Sequence, residues 1–263
     1  MASHLKKQMV YVNSRNRLSG TDSNFAYKFD LNYANYSHVA CLQASIPKSY
    51  YLIEEDANTF VLQEGLVSHT VEMPSGNYSR NSFVNELQTQ LNLAGNWSYT
   101  VNLSNYQQSA ETGLLYFTVL NNNNVQPSFV FGDAMFETMG FNAFSTNTFV
   151  GNLLSSVNVI NLQKESTVFI HSNICANESN NILQEVYASN TTDYGYLIHQ
   201  NPNVHHYSKS ITNVNNIYNF YLTDENGKEI NLHGRNWVMT LCLYHEDDVN
   251  AMVKKYIQWR VSK

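Results

Sequence analysis

The sequence predicts an all-β fold, a β-sandwich carrying one helical interruption and a closing helix or arm. Three observations lead there. Short apolar runs recur between Asn, Gly, Ser and Pro clusters along all 263 residues. Aromatics are abundant, with 18 Tyr and 13 Phe, whereas charged residues make up only 14%. Asn fills about one position in seven. Aromatic side chains pack across strands and Asn tolerates turn conformations, so the pairing suits pleated sheets joined by tight connections. Helical bundles draw instead on Ala, Leu, Glu and Lys. With no alternation of strands and helices, an α/β enzyme fold is disfavoured. A chain of this length supports one large β domain or two modest ones.

The elements follow in order. The first thirty residues hold Lys6, Lys7, Arg15, Arg17 and Lys28 against Asp22 and Asp30, a basic excess in a chain of net charge −6. They read as an arm that is either solvated or faces something acidic. Strand patterns occupy residues 24–30, 36–46, 59–64, 69–73, 97–103 and 114–120, and then 157–162, 167–172, 182–188, 217–223 and 236–245. In the run 217–223, Tyr218, Phe220 and Leu222 alternate with Ile217, Asn219, Tyr221 and Thr223, which predicts one buried face. Ser79 can cap a helix over 79–93, with Phe83, Leu87 and Leu91 at spacings of four. Residues 133–139 predict one or two helical turns stopped by Gly140 in a left-handed cap. Residues 221–230 read as a hairpin whose Gly227 takes positive φ, and 121–124 as a plain loop. The tail 247–261 places Val249, Met252, Val253, Tyr256, Ile257 and Arg260 on one helical stripe, although an extended arm suits it as well. There is no repeat at solenoid or propeller periods.

The overall negative charge argues against a general nucleic-acid binder, which needs clustered Lys and Arg. Cys41, Cys175 and Cys242 lie far apart in apolar runs and read as free, buried thiols. The amino-terminal run MASHLKKQMVYV lacks an apolar core, so no secretory signal is expected. No stretch approaches the ~18–20 apolar residues of a membrane-spanning helix. Sequons at Asn35, Asn77, Asn96, Asn102, Asn177 and Asn190 then reflect the richness in Asn and Ser rather than glycans.

The search for chemistry returns little. Phosphate-binding glycine loops, His-Glu-x-x-His, Cys-x-x-Cys and Gly-x-Ser-x-Gly are all missing. His205 and His206 are adjacent, so a strand would point them to opposite sides and a loop would explain them. His245, Glu246, Asp247 and Asp248 gather metal-compatible groups, yet acids at a helix start account for them more simply. Glu54, Glu55 and Asp56 read as a solvated turn. No catalytic residue, metal site or cofactor is expected.

Several runs, in order, resemble the minor capsid (penton) proteins of virophages and of Polinton-like and related double-jelly-roll DNA viruses. They are YVNSRNRLSGTDSNF at 11–25, ASIPKSYY at 44–51 with NTF at 58–60, and VEMPSGNYS at 71–79. MGF follows at 139–141, where the family more often has Leu-Gly-Phe, and then LTDENG at 222–227 and NLHGRNWVMTL at 231–241. The positions carrying the resemblance are Phe25, Pro47, Phe60, Pro74, Gly76, Asn77, Tyr78, Gly140, Phe141, Gly227 and Trp237. Each run also has a local reading. Pro74 cannot donate to a ladder and Gly76 permits a tight turn.

The resemblance implies a single jelly-roll β-sandwich over 24–53 and 146–246. Into it is inserted an α+β module at 54–145, built as strand, strand, helix, strand, strand. An arm precedes this at 1–23, and a helix or arm follows at 247–263. It further implies a homopentamer plugging the icosahedral vertex of a virion, closed by a heterologous contact between copies. The expected partners are the chain itself, the major capsid protein, other minor capsid or cement proteins, and a host receptor reached through the inserted module. Two other readings stand beside it. One is a glycan- or receptor-binding sandwich of a spike, suggested by the aromatic and Asn content. The other is a cupin-like metal enzyme, for which clustered His and Glu are lacking.

Overall fold

The computed structural model describes residues 7–30, 36–105, 110–162, 167–175, 179–187, 196–200, 208–212, 215–245, 253 and 256–260. The first segment supplies β1 (Lys7–Asn13), β2 (Ser19–Gly20), β3 (Asn24–Lys28) and β4 (His38–Pro47). The middle supplies β5 (Thr59–Glu64), β6 (Val67–Glu72), α1 (Arg80–Ala94), β7 (Ser98–Ser104) and β8 (Glu111–Leu120). It continues with β9 (Ser128–Val130), β10 (Thr146–Thr148) and β11 (Leu153–Ser155). The last segment adds β12 (Thr167–Ser172), β13 (Ile182–Tyr187), β14 (Tyr196–Gln200), β15 (Lys209–Ser210), β16 (Ile217–Thr223) and β17 (Val238–Tyr244). These form two compact units, Met1–Tyr50 with Glu165–Lys263, and Tyr51–Lys164.

In the first unit, one sheet runs β1-β17-β4-β14, with β15 also on β4, and the other runs β13-β12-β16-β3-β2. The antiparallel pairs nest: β1 with β17, β3 with β16, β4 with β14, and β12 with β13. Two further pairs, β17 with β4 and β16 with β12, roll this long nested hairpin into the two sheets. Both sheets contribute to one core. Val10, Val12, Leu241 and Leu243 come from the first, and Phe25, Ile170, Tyr218, Phe220 and Leu222 from the second. The alternation expected in 217–223 is present, since Tyr218, Phe220 and Leu222 are fully buried while Ile217 is half exposed. On β4 the register shifts opposite Thr240 and Leu241. The extra residue lets Val39 and Cys41 face inward before the shift, and Ala44 and Ile46 after it.

The amino-terminal arm expected over 1–23 is corrected. Residues 7–13 pair along the whole of β17 and bury Val10 and Val12, so they are a strand of the sandwich. Alternation in the run QMVYV is the signal that the basic residues around it masked.

In the second unit, a sheet β10-β9-β5-β6 and a sheet β11-β8-β7 share a core with α1. The helix begins where Ser79 and Ser82 form a reciprocal capping box, and it buries Phe83, Val84, Leu87 and Leu91. Phe60, Phe117, Phe129, Phe131, Phe141 and Phe149 form a continuous aromatic cluster, with Phe131 and Phe141 stacked at 4.9 Å.

Three sequence expectations change here. The unit extends past 145, because β10 pairs with β9, β11 pairs with β8, and Phe149 and Ile160 join this core. Residues 157–162 are not a strand: the amides of Val157 and Asn158 both donate to the Gly140 carbonyl, and that of Ile160 to Gly113. Residues 133–139 make successive turns rather than a helix, since Met135 sits at φ 61. Gly140 does adopt positive φ, at 73°, and a Cβ there would lie 2.1 Å from the Asn158 carbonyl oxygen. Gly140→Ala is expected to destabilise the fold by about 2–4 kcal/mol, combining the left-handed cost with overpacking. Denaturant titration checks this; a change near zero would show that the 156–160 segment yields freely.

Of the tail, residues 253 and 256–260 are helical. The remainder of 247–263 lies outside the described residues.

Candidate functional site

The first and last motifs of the sequence meet in the first unit. The Trp237 amide donates to Ser14 Oγ (3.0 Å) and its carbonyl accepts from the Ser14 amide (3.0 Å). Its indole Nε1–H donates to the Asp22 carbonyl at 3.0 Å, and its ring meets Phe25 edge-on at 5.7 Å. Arg17 donates to the carbonyls of Ser14 and Gly20, and the Asp22 carboxylate accepts from the Gly234 amide. A large aromatic ring, 1% exposed, is thus clamped by the turn that precedes β3. Pro47 is buried at the end of β4, the last position of that strand. Gly227 takes φ 80 in a hairpin where Asp224 Oδ1 accepts from the amides of Asn226 and Lys228.

In the second unit the PSGNY turn fastens the incoming chain. Ile53 and Gly76 exchange two backbone hydrogen bonds, Asn77 Oδ1 accepts from the Leu52 amide at 2.7 Å, and Tyr78 OH donates to the Pro74 carbonyl at 2.6 Å. Tyr78 also packs edge-on against Phe83 of the helix. Phe60 stacks on Phe131, which stacks on Phe141, just behind Gly140. The structure therefore gathers the eleven motif positions into two separate sets, four in the first unit and seven in the second. Each set joins chain segments distant in sequence. The contacts are packing, turn closure and backbone capture.

The strongest polar centre was not singled out by sequence. Glu64, 5% exposed, accepts from the amides of Asn96 (2.9 Å) and Trp97 (3.2 Å), from Asn96 Nδ2 (3.0 Å) and from Tyr99 OH (2.8 Å). His69 Nε2 lies 3.2 Å away. Burial alone would raise the Glu64 carboxyl, but the hydrogen bonds from Asn96, Tyr99 and Trp97 outweigh it and hold the group below the usual carboxylate range. Burial, and then the hydrogen bond and charge of Glu64, push the Tyr99 phenol up, so it stays a donor. A Cβ at Gly95 would lie 2.8 Å from Glu64 Oε1, so glycine permits the close approach. The carboxylate anchors the turn between α1 and β7. A readable signal existed: Phe60, Leu62 and Glu64 share one strand face, placing a Glu in an apolar phase.

His171, on β12, is also buried. Its Nε2 lies 2.9 Å from Thr223 Oγ1, its Nδ1 3.3 Å from the Asn180 carbonyl, and its ring stacks on Tyr221 at 4.5 Å. Burial lowers its pKa, partly offset by Asn180, so it is held neutral. Burial likewise pushes the Cys41 thiol up to about 12, against the Gln43 carbonyl that accepts from it. The three cysteines are buried thiols that form no disulfide, as the sequence suggested.

The remaining candidates do not converge. Glu54 precedes a single 3-10 turn, Glu55–Ala57, whose two acids are exposed. His205 and His206 lie outside the described residues, as do Glu246, Asp247 and Asp248 beyond His245. Asn96, a sequon position, has its side-chain amide engaged by Glu64. Among the described residues no three His, Cys, Asp or Glu side chains group as metal ligands, and no helix is long and apolar enough to cross a membrane.

No protein-family model matches this chain, and no curated protein matches it. Among solved structures it is similar to the mavirus penton protein, with a TM-score of 0.46 and 11% identity, covering 90% of this chain and 99% of that one. It is also similar to a chain of the Sputnik virophage determined by cryo-electron microscopy, with a TM-score of 0.40 and 11% identity, covering 91% of this chain and 98% of that one. Both likenesses are of shape along most of the chain, at low identity.

Proposed function

We propose that this chain is a structural minor capsid protein whose first unit is a jelly roll, and that it forms the homopentameric vertex of an icosahedral DNA virus. The observation that carries the reading is the strand order. Counting the eight main strands of that unit along the chain, the sheets read first-eighth-third-sixth and second-seventh-fourth-fifth. A hairpin nested four deep and rolled into two sheets is the jelly-roll arrangement, one used by viral capsid and lectin domains and by cupins. Within that set, the family-like motifs favour the capsid: they recur in order along the chain, and the first and last of them meet at the Trp237 clamp. The second unit is then the module inserted between the third and fourth strands.

The outer face of the first sheet supports self-assembly. Asn13, Val238, Ser45 and Ile198 lie in one row across its four strands. Tyr11, 72% exposed, lies two residues along β1 from that row, on the same face. None of these is charged, which suits contact between copies that each carry net charge −6. A ring requires this face to meet a different face of the next copy. The major capsid protein and cement-type minor proteins are the neighbours such a ring would touch.

Native mass spectrometry of the purified chain tests this. The expected species is five copies of the 30.1 kDa chain. Tyr11→Asp with Ile198→Asp should reduce it to monomer while leaving the circular dichroism spectrum unchanged, because both side chains lie outside the core. A wild-type chain that is monomeric at all concentrations would contradict the proposal.

A further inference from the structure

One end of the second unit is built unlike the rest of it. Four turns meet there: Glu64–Val67 between β5 and β6, the α1–β7 turn, the loop after β8, and the turn from Val150 to Leu153. They are joined to one another. Glu64 holds Asn96 and Trp97, Asn121 Nδ2 reaches Ser98 Oγ, and Asn122 Nδ2 donates to Asn152 Oδ1 at 2.7 Å. A Cβ at Gly65 would touch Val125 at 3.4 Å. Both chain crossings of the unit lie at the opposite end of its strands, where Ile53 bridges Gly76 and Ile160 bonds to Gly113.

This apex presents apolar side chains to solvent. Leu66 is fully exposed, Val150 is 79%, Leu93 73% and Leu120 60% exposed, with Val67 and Val125 beside them. Residues 65–68, 93–98, 120–127 and 148–154 contain no Lys, Arg, Asp or Glu. Left-handed backbone concentrates here, at Gly65, Asn121, Asn123, Asn124, Gly151 and Asn152, giving tight turns that push the intervening side chains outward. Several amides that would resist an apolar medium are satisfied internally. Asn122 Nδ2 also bonds the Val125 carbonyl, and Asn152 accepts from the Val119 amide through its carbonyl.

We propose that this apex docks on a lipid bilayer, inserting its Leu and Val side chains at the boundary between headgroups and acyl chains. The charge pattern selects this occupant. The one carboxylate of the apex, Glu64, is buried among its hydrogen-bond donors, so the tip shows no charge to solvent and matches an uncharged zwitterionic surface, where burying even one exposed charge is costly. A glycan would call for exposed aromatic faces, and here the exposed large side chains are Leu and Val. The inference is independent of the capsid assignment, since it concerns a surface the jelly roll does not contain.

Flotation of the full chain with phosphatidylcholine vesicles tests it. The chain should float with them, should remain bound at about 0.5 M salt because the attraction is apolar, and should bind less when phosphatidylserine is added. Leu66→Ser with Val150→Ser removes two exposed side chains that no core needs; binding should fall about tenfold or more at unchanged circular dichroism. A chain that stays at the bottom of the gradient overturns the proposal and leaves the apex to a protein partner. Equal flotation of the double variant overturns it as well. So does binding strengthened by phosphatidylserine, which would assign the contact to the basic segments at the chain ends.

Discussion

Trp237→Ala is expected to destabilise the first unit by about 4 kcal/mol. Truncating a buried aromatic ring leaves a cavity that the surrounding strands fill only partly. The ring lies against Phe25 and beneath the turn that leads into β3, so its loss also frees that turn. Trp237→Phe keeps most of the volume and removes the indole N–H to the Asp22 carbonyl, and should cost about 1–2 kcal/mol. Chemical denaturation measures both. A Trp237→Ala variant within 1 kcal/mol of wild type would mean that the clamp holds no more than an ordinary surface contact.

Glu64→Ala is expected to cost the second unit about 3 kcal/mol, because it strips the acceptor from two backbone amides and a phenol in a buried site. Glu64→Gln keeps one acceptor oxygen and should cost less. The pH dependence has a definite sign. The folded carboxyl titrates below its unfolded counterpart, so as pH falls the unfolded chain takes up the proton first. Its contribution is complete above about pH 4.3 and disappears as pH drops from there through the folded value. Stability of the wild type should therefore fall more steeply below pH 4.3 than that of Glu64→Gln. Parallel curves would remove the carboxylate from the account. The same sign means that the apex turns stay pinned at mildly acidic pH, so their apolar side chains remain presented between pH 5 and 7.

The parts of the fold legible in the sequence are those set by local pattern. Tyr218, Phe220 and Leu222 alternate in a seven-residue run, and α1 carries both a serine cap and a four-residue spacing. What stayed hidden depends on partners far along the chain. β1 was obscured by neighbouring basic residues, although Val10 and Val12 alternate, because its burial follows only from pairing with β17 some 230 residues later. Residues 157–162 have strand composition, yet their amides are claimed by Gly140 and Gly113. Met135 adopts a left-handed conformation that Met rarely visits, and no propensity scale anticipates it. The motif positions were readable as turn and core residues. Glu64 was readable only by noticing its phase beside Phe60 and Leu62.

The central claim is that this chain builds the five-fold vertex of a capsid, with the nested strand order of its first unit as the ring-forming part. Cryo-electron microscopy of purified particles, reconstructed about the five-fold axis, tests it most directly. The account predicts five copies of this chain around that axis, with the outer face of β1, β17, β4 and β14 packed against the neighbouring copy. Particles whose vertices are filled by another protein, with this chain absent or bound elsewhere, would contradict it.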